Sequence, residues 1–123
     1  MKTILFLLLL SIMSLSTFAQ DIADVKQEGS STLITLKSSG AEIARRTLNS
    51  SESLAGFSSS IVVIVYDNRT VISYDQNFKE IARLTLNDGD SVKNVSGNNI
   101  LIRRPGAVIT YDKNFKEISR RSE

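Results

Sequence analysis

The side chains here that could do chemistry are few in kind. The chain has 123 residues with 13 Asp+Glu, 15 Lys+Arg and 3 Tyr, but no His and no Cys. It therefore has no imidazole base, no thiolate nucleophile and no Cys/His metal site. Without Cys there is also no disulfide framework and no lipidated N-terminal cysteine. Among the groups that remain are carboxylate, guanidinium and phenol. Two carboxylates suffice for glycoside hydrolysis if their environments give one a raised pKa and leave the other ionised. The candidate acids, however, fall in matched sets: Asp75 with Asp112, and Glu80 with Glu117. Matched positions have matched surroundings, so Asp75 and Asp112 read as turn residues that bond their own backbone. The oxygen-rich run Asn87-Asp88-Gly89-Asp90-Ser91 lacks the Asp-x-Asp-x-Asp-Gly pattern with its distal Glu. Calcium wants about six to eight oxygens, so the run reads as a tight connection. No catalytic residue, metal or cofactor is assigned.

Arginine is more suggestive. Arg45, Arg83 and Arg120 recur at even spacing, and Arg103-Arg104 and Arg120-Arg121 are doublets. One reading is a concave site for an anionic ligand, since guanidinium forks bind carboxylate and phosphate bidentately. The reading we favour pairs these arginines with Glu42, Glu80 and Glu117 across neighbouring strands. Tyr74 with Tyr111, and Phe78 with Phe115, also recur; packing explains them better than a sugar-stacking platform. The charge balance is close to neutral and lacks the clustered basic face of a nucleic-acid binder.

The elements that must position these groups repeat. Val71-Ile72-Ser73-Tyr74-Asp75-Gln76-Asn77-Phe78-Lys79-Glu80-Ile81-Ala82-Arg83 lies over Val108-Ile109-Thr110-Tyr111-Asp112-Lys113-Asn114-Phe115-Lys116-Glu117-Ile118-Ser119-Arg120, identical at 10 of 13 positions. A weaker copy runs from Leu33 to Arg45 and keeps the Glu-Ile-Ala-Arg ending. The offsets are 38 and 37 residues. Each copy alternates with period two and turns through a polar stretch, the pattern of a β-hairpin. Gly40 stands where Phe78 and Phe115 stand. Because a left-handed residue suits glycine and not Phe, the expectation is that Asn77 and Asn114 take that conformation. Ile61-Val62-Val63-Ile64-Val65-Tyr66 reads as a strand covered on both faces, with Asn98 to Arg103 in the same slot one repeat later. Asp67 to Thr70 and Arg104 to Ala107 read as turns. Leu54 to Phe57 and Val92 to Val95 each add a first strand. The expectation is an all-β chain of about eleven strands in three antiparallel units of three to four strands, with no helix after residue 20.

Met1–Ala19 reads as a secretory signal peptide: Lys2, an apolar run from Ile4, then small residues leading to Ala19. The unbroken apolar run is shorter than the roughly 20 residues of a membrane span. The expectation is residues 1–19 removed, no membrane span left, and a single domain over 20–123 (units about 21–49, 53–87 and 90–123), secreted or periplasmic.

Four short antiparallel strands recurring at just under 40 residues match a β-propeller blade. The ending Val-Ile-(Ser/Thr)-Tyr-Asp-x-Asn-Phe-Lys-Glu-Ile, at 70–84 and 107–121, resembles the third and fourth strands of blades in secreted bacterial propellers of the six-bladed, NHL-like and quinoprotein-like kinds. WD and Kelch signatures are absent, as is the Trp common in quinoprotein blades. Propellers close with about four to eight blades, so three units imply a partial or self-associating array; two chains completing one ring is one solution. The alternative is a closed threefold β-trefoil or β-prism. The resemblance implies a non-enzymatic binding or scaffold module. Its protein or glycan ligand would meet the loops joining successive units and those between second and third strands, at Asp67, Arg69, Asp88, Asp90 and Arg104. The competing readings are a carboxylate-dependent glycan hydrolase or lyase, and a propeller remnant without independent function.

Overall fold

The computed structural model describes residues 21–123; the signal peptide expected at 1–19 lies outside them. The described residues form eleven strands and no helix. The first sheet holds β1 (Asp24–Glu28), β2 (Thr32–Leu36) and β3 (Glu42–Thr47). The second holds β4 (Glu52–Phe57), β5 (Val62–Tyr66), β6 (Thr70–Tyr74) and β7 (Glu80–Thr85). The third holds β8 (Ser91–Ser96), β9 (Asn99–Arg104), β10 (Ala107–Asp112) and β11 (Glu117–Ser122). Each sheet is an antiparallel meander in chain order. These are blade-like sheets in succession.

The pleat explains how they stack. Alternate residues of a strand face opposite sides. On the side of the second sheet facing the first, Val62, Ile64, Ile72 and Tyr74 meet Ile22, Leu33 and Leu48. On its far side, Val63 and Val71 meet Val95, Ile100, Ile102, Ile109 and Tyr111 of the third. The middle sheet is thus core on both faces, which is why Ile61 to Ile64 is uninterrupted apolar sequence. Each fully buried Val or Ile contributes roughly 1.5–3 kcal/mol. No apolar cluster among the described residues joins the first sheet to the third, and Ile118 on the third sheet is 57% exposed. This corrects the threefold closed alternative. A trefoil or prism directs one face of every unit to a shared core, whereas β5 and β6 use both faces to stack flat neighbours.

Polar contacts recur along the stack. The buried Thr35 Oγ1 donates to the Gln76 carbonyl at 2.9 Å, and the buried Ser73 Oγ donates to the Lys113 carbonyl at 2.6 Å. The two hydroxyls are one repeat apart, and each crosses to the next sheet's hairpin turn. Close approach on the inner strands depends on Gly56, where an added Cβ would lie 2.9 Å from Val95 Cγ2.

The hairpin turns behave as their aspartates require. Asp75 Oδ1 accepts from the Asn77 and Lys79 N–H groups, each at 2.9 Å, and Asp112 Oδ1 accepts from Asn114 and Lys116 at the same distance. The left-handed residue is not Asn77 or Asn114, as expected, but Phe78 (φ 61°) and Phe115 (φ 59°), matching Gly40 (φ 88°). The Phe78 N–H donates to the Asp75 carbonyl at 3.0 Å, as Phe115 does to Asp112. That bond fixes the turn one residue earlier and leaves Phe to take the reversal. Ring packing offsets a left-handed cost of roughly 1–2 kcal/mol: Phe115 meets Tyr111 edge to face with centroids 6.1 Å apart, and Phe78 packs on the first core cluster.

The repeated arginines do pair with the repeated glutamates, but along one strand and not between strands. Glu42–Arg45, Glu80–Arg83 and Glu117–Arg120 close at 2.6, 2.6 and 2.7 Å. In each sheet a bulge beside the hairpin turn inserts one residue (Ile43, Ile81 or Ile118) into the outer strand. The extra residue brings positions three apart onto one face.

Candidate functional site

The two connections between sheets are built alike. Glu52 Oε1 accepts the Asn49 N–H at 3.1 Å, and Asp90 Oδ2 accepts the Asn87 N–H at 3.0 Å. The backbone answers in kind, Glu52 N–H to the Asn49 carbonyl and Asp90 N–H to the Asn87 carbonyl. Buried Leu48 and Leu86 anchor the two loops. A carboxylate so placed needs a cation, and the two loops find theirs on opposite sides. Glu52 takes Arg46 of the preceding sheet at 2.7 Å; Asp90 takes Arg104 of its own sheet at 3.0 Å. One repeat after Arg46 stands Leu84, and one repeat after Tyr66 stands Arg104. The guanidinium has exchanged position with a neutral side chain, and both loops keep their ion pair.

The electrostatics follow. The Arg104 guanidinium, helped by the Asn87 N–H, holds the Asp90 carboxyl below its ordinary range against the opposing pull of burial. Burial pushes Glu52 upward, but the Asn49 N–H and Arg46 together take it below its ordinary value. Glu42, Glu80 and Glu117 are likewise lowered by their strand arginines.

The five residues expected to meet a ligand lie at one end of the sheets. Asp67 and Arg69 occupy the β5–β6 turn, Asp88 and Asp90 the β7–β8 loop, and Arg104 ends β9. Asp67 and Asn68 both have positive φ (57° and 56°), and the Arg69 N–H closes the turn on the Tyr66 carbonyl at 3.1 Å. That combination is a primed turn, which favours Asp and Asn. The Asp67 N–H also donates to the Ser51 carbonyl at 2.8 Å, tying this turn to the neighbouring loop. Arg69 and Asp88 form a loose surface pair at 3.8 Å, with the Asp88 side chain fully exposed. Asp90, with its side chain 1% exposed, is committed to Arg104 and to its own loop. Asp67, Arg69 and Asp88 thus face solvent, while Asp90 and Arg104 brace the scaffold behind them. Among the described residues, no three carboxylates converge as a metal site needs.

Beside this end lies a groove that sequence reasoning missed. Arg46, Glu52, Tyr66, Ile72, Tyr74, Phe78, Glu80 and Arg83 line a cavity of about 410 Å³ between the first and second sheets. Its walls are residues from all four strands of the second sheet and Arg46 of β3. Arg46 stacks over the Tyr74 ring at 4.7 Å, and its buried Nε has no hydrogen-bond partner among the described residues. Tyr74 is buried, and that burial raises its phenol pKa. Tyr66, adjoining Asp67, is 42% exposed at the rim. The signal in the sequence was a departure from the repeat: Arg46 where the next copy has Leu84, and Tyr66 where the next copy has Arg104.

No protein-family model matches this chain, and no curated protein matches it by sequence. Solved structures do match in fold. BamB from Moraxella catarrhalis superposes over 86% of this chain with a TM-score of 0.54 at 13% identity. A protein of unknown function from Bacteroides caccae superposes over 78% with a TM-score of 0.53 at 8% identity. The chain spans 34% of the first and 38% of the second. At such identities the likeness establishes the fold: successive antiparallel blade-like sheets, not closed into a barrel.

Proposed function

We propose that this chain is an exported, non-enzymatic binding or scaffold module. Its protein or glycan ligand is held by the loop-bearing end at Asp67, Arg69 and Asp88 and by the adjoining groove at Tyr66, Arg46 and Arg83. The observation that carries the reading is that the carboxylates lining the groove and bracing the loop behind this surface are already used. Glu52, Glu80 and Asp90 each sit against a guanidinium with a lowered pKa. A glycosidase acid needs the opposite shift, upward toward neutrality. What is left to a ligand is aromatic surface beside exposed charge, on turns held by a rigid sheet; that arrangement favours recognition. Export rests on the Met1–Ala19 leader pattern.

The test uses the purified chain on a glycan array and a peptide array, alongside Tyr66→Ala and Arg69→Ala. Both variants should melt like the parent, since both side chains are exposed, and should lose the parent's binding. Retained binding in both would refute the site. Product release from bound glycans, abolished by Asp88→Asn or Asp90→Asn, would establish an enzyme in its place.

A further inference from the structure

The stack repeats a set of contacts that its last sheet leaves unfilled. Thr35, Ser73 and Thr110 occupy one position in the three sheets, as do Ile43, Ile81 and Ile118. In the first sheet, Thr35 bonds the second sheet's turn at Gln76 and Ile43 packs on the apolar cluster between the first and second sheets. In the second, Ser73 bonds the third sheet's turn at Lys113 and Ile81 packs on the apolar cluster between the second and third sheets. In the third, Thr110 is only half-buried and its hydroxyl has no partner among the described residues; Ile118 is 57% exposed. Arg121 takes the position of Arg46. The outer face of the third sheet therefore carries the Thr, Ile, Arg set that the first sheet uses to hold its neighbour.

The complementary half lies at the other end of the stack. One repeat before Gln76 is Ser38, in the exposed β2–β3 turn. Within that turn, the Gly40 N–H bonds the Lys37 carbonyl at 2.9 Å, which leaves the Ser38 carbonyl in the place of the Gln76 and Lys113 acceptors. We propose that the outer face of the third sheet docks the first sheet of a second copy, head to tail, with Thr110 donating to the Ser38 carbonyl and Ile118 covered by the incoming sheet. The join continues the two internal interfaces in the same sense. Such a heterologous contact closes a ring or extends a filament, and two copies supply six sheets, within the roughly four to eight of closed rings.

Sedimentation velocity of the purified chain over a dilution series tests this. The parent should self-associate. Ile118→Asp should give monomer with unchanged far-UV circular dichroism, and Thr110→Val should weaken association roughly fivefold to tenfold, the worth of one hydrogen bond. The chain has no cysteine, so orientation can be read directly: a mixture of Thr110→Cys and Ser38→Cys chains should form a mixed disulfide dimer under mild oxidant. A parent that stays monomeric at all concentrations overturns the proposal. So does association that Ile118→Asp leaves intact, or a mixture that yields only the Thr110→Cys homodimer and no mixed disulfide. None of these readouts depends on the ligand proposed above.

Discussion

Replacing Gly56 with alanine should destabilise the chain although the residue needs no special backbone. Its φ is not positive; the constraint is its neighbour. The new Cβ would stand 2.9 Å from Val95 Cγ2 and 3.4 Å from Val95 Cβ, closer than packed carbon atoms sit. Val95 is in the core cluster on β8 and has little room to retreat. Overpacking of this kind costs about 1–3 kcal/mol. Val95→Ala alone should cost about 2 kcal/mol, from two lost methyl groups and a small cavity. In the double variant the added methyl enters the vacated space. The two effects should then fall short of their sum by at least about 1 kcal/mol, within the range seen for contacting residues. Urea unfolding of the four proteins at constant m-value gives this coupling directly. Additivity within about 0.5 kcal/mol would mean that the two residues do not touch, and the packing of the second sheet on the third would be wrong.

Other consequences follow from the same contacts. Ser73→Ala should lower stability by about 1–2 kcal/mol, because it removes the bond from the buried Ser73 hydroxyl to the Lys113 carbonyl; Ser73→Thr, which restores a hydroxyl, should recover part of the loss in thermal melts. Phe115→Gly should be more stable than Phe115→Ala by about 1 kcal/mol, since both lose the ring contact and only glycine is relaxed at φ 59°; equal melting temperatures would deny the left-handed assignment. Glu52 and Asp90 have folded-state pKa values below their ordinary 4.5 and 3.8. Their contribution is therefore present above those values and is lost as pH falls through the lowered ones. Acid titration should show the parent losing stability below about pH 4, with a shallower acid limb in Glu52→Gln.

Much of this fold was legible because period-two alternation is a strong signal where both faces of a sheet are covered. Ile61 to Tyr66, the hairpins at Tyr74-Asp75 and Tyr111-Asp112, and the first strands at Leu54 and Val92 all read correctly. The left-handed Phe78 and Phe115 did not, because local propensity argues for Asn and only ring packing against Tyr111 and the first core cluster overrides it. The strand-wise Glu–Arg pairs were missed in geometry, because bulges at Ile43, Ile81 and Ile118 shift the parity of everything beyond them. Asp90 could have been read as structural. Thr85-Leu86-Asn87 repeats Thr47-Leu48-Asn49, which aligns Asp90 with Glu52 as the loop's own acceptor. Beyond the two departures from the repeat, the groove was not legible because Arg46, Tyr66 and Arg83 come from three strands of two sheets, and only their stacking brings them together.

The proposed function requires that this surface retain a ligand without converting it. The most direct measurement is to incubate the purified chain with a glycan panel, follow retention on the protein, and follow release of new reducing ends in the same samples. Retention without release, lost on Tyr66→Ala, is the predicted result. Release of reducing ends that disappears on Glu80→Gln or Asp88→Asn would contradict it.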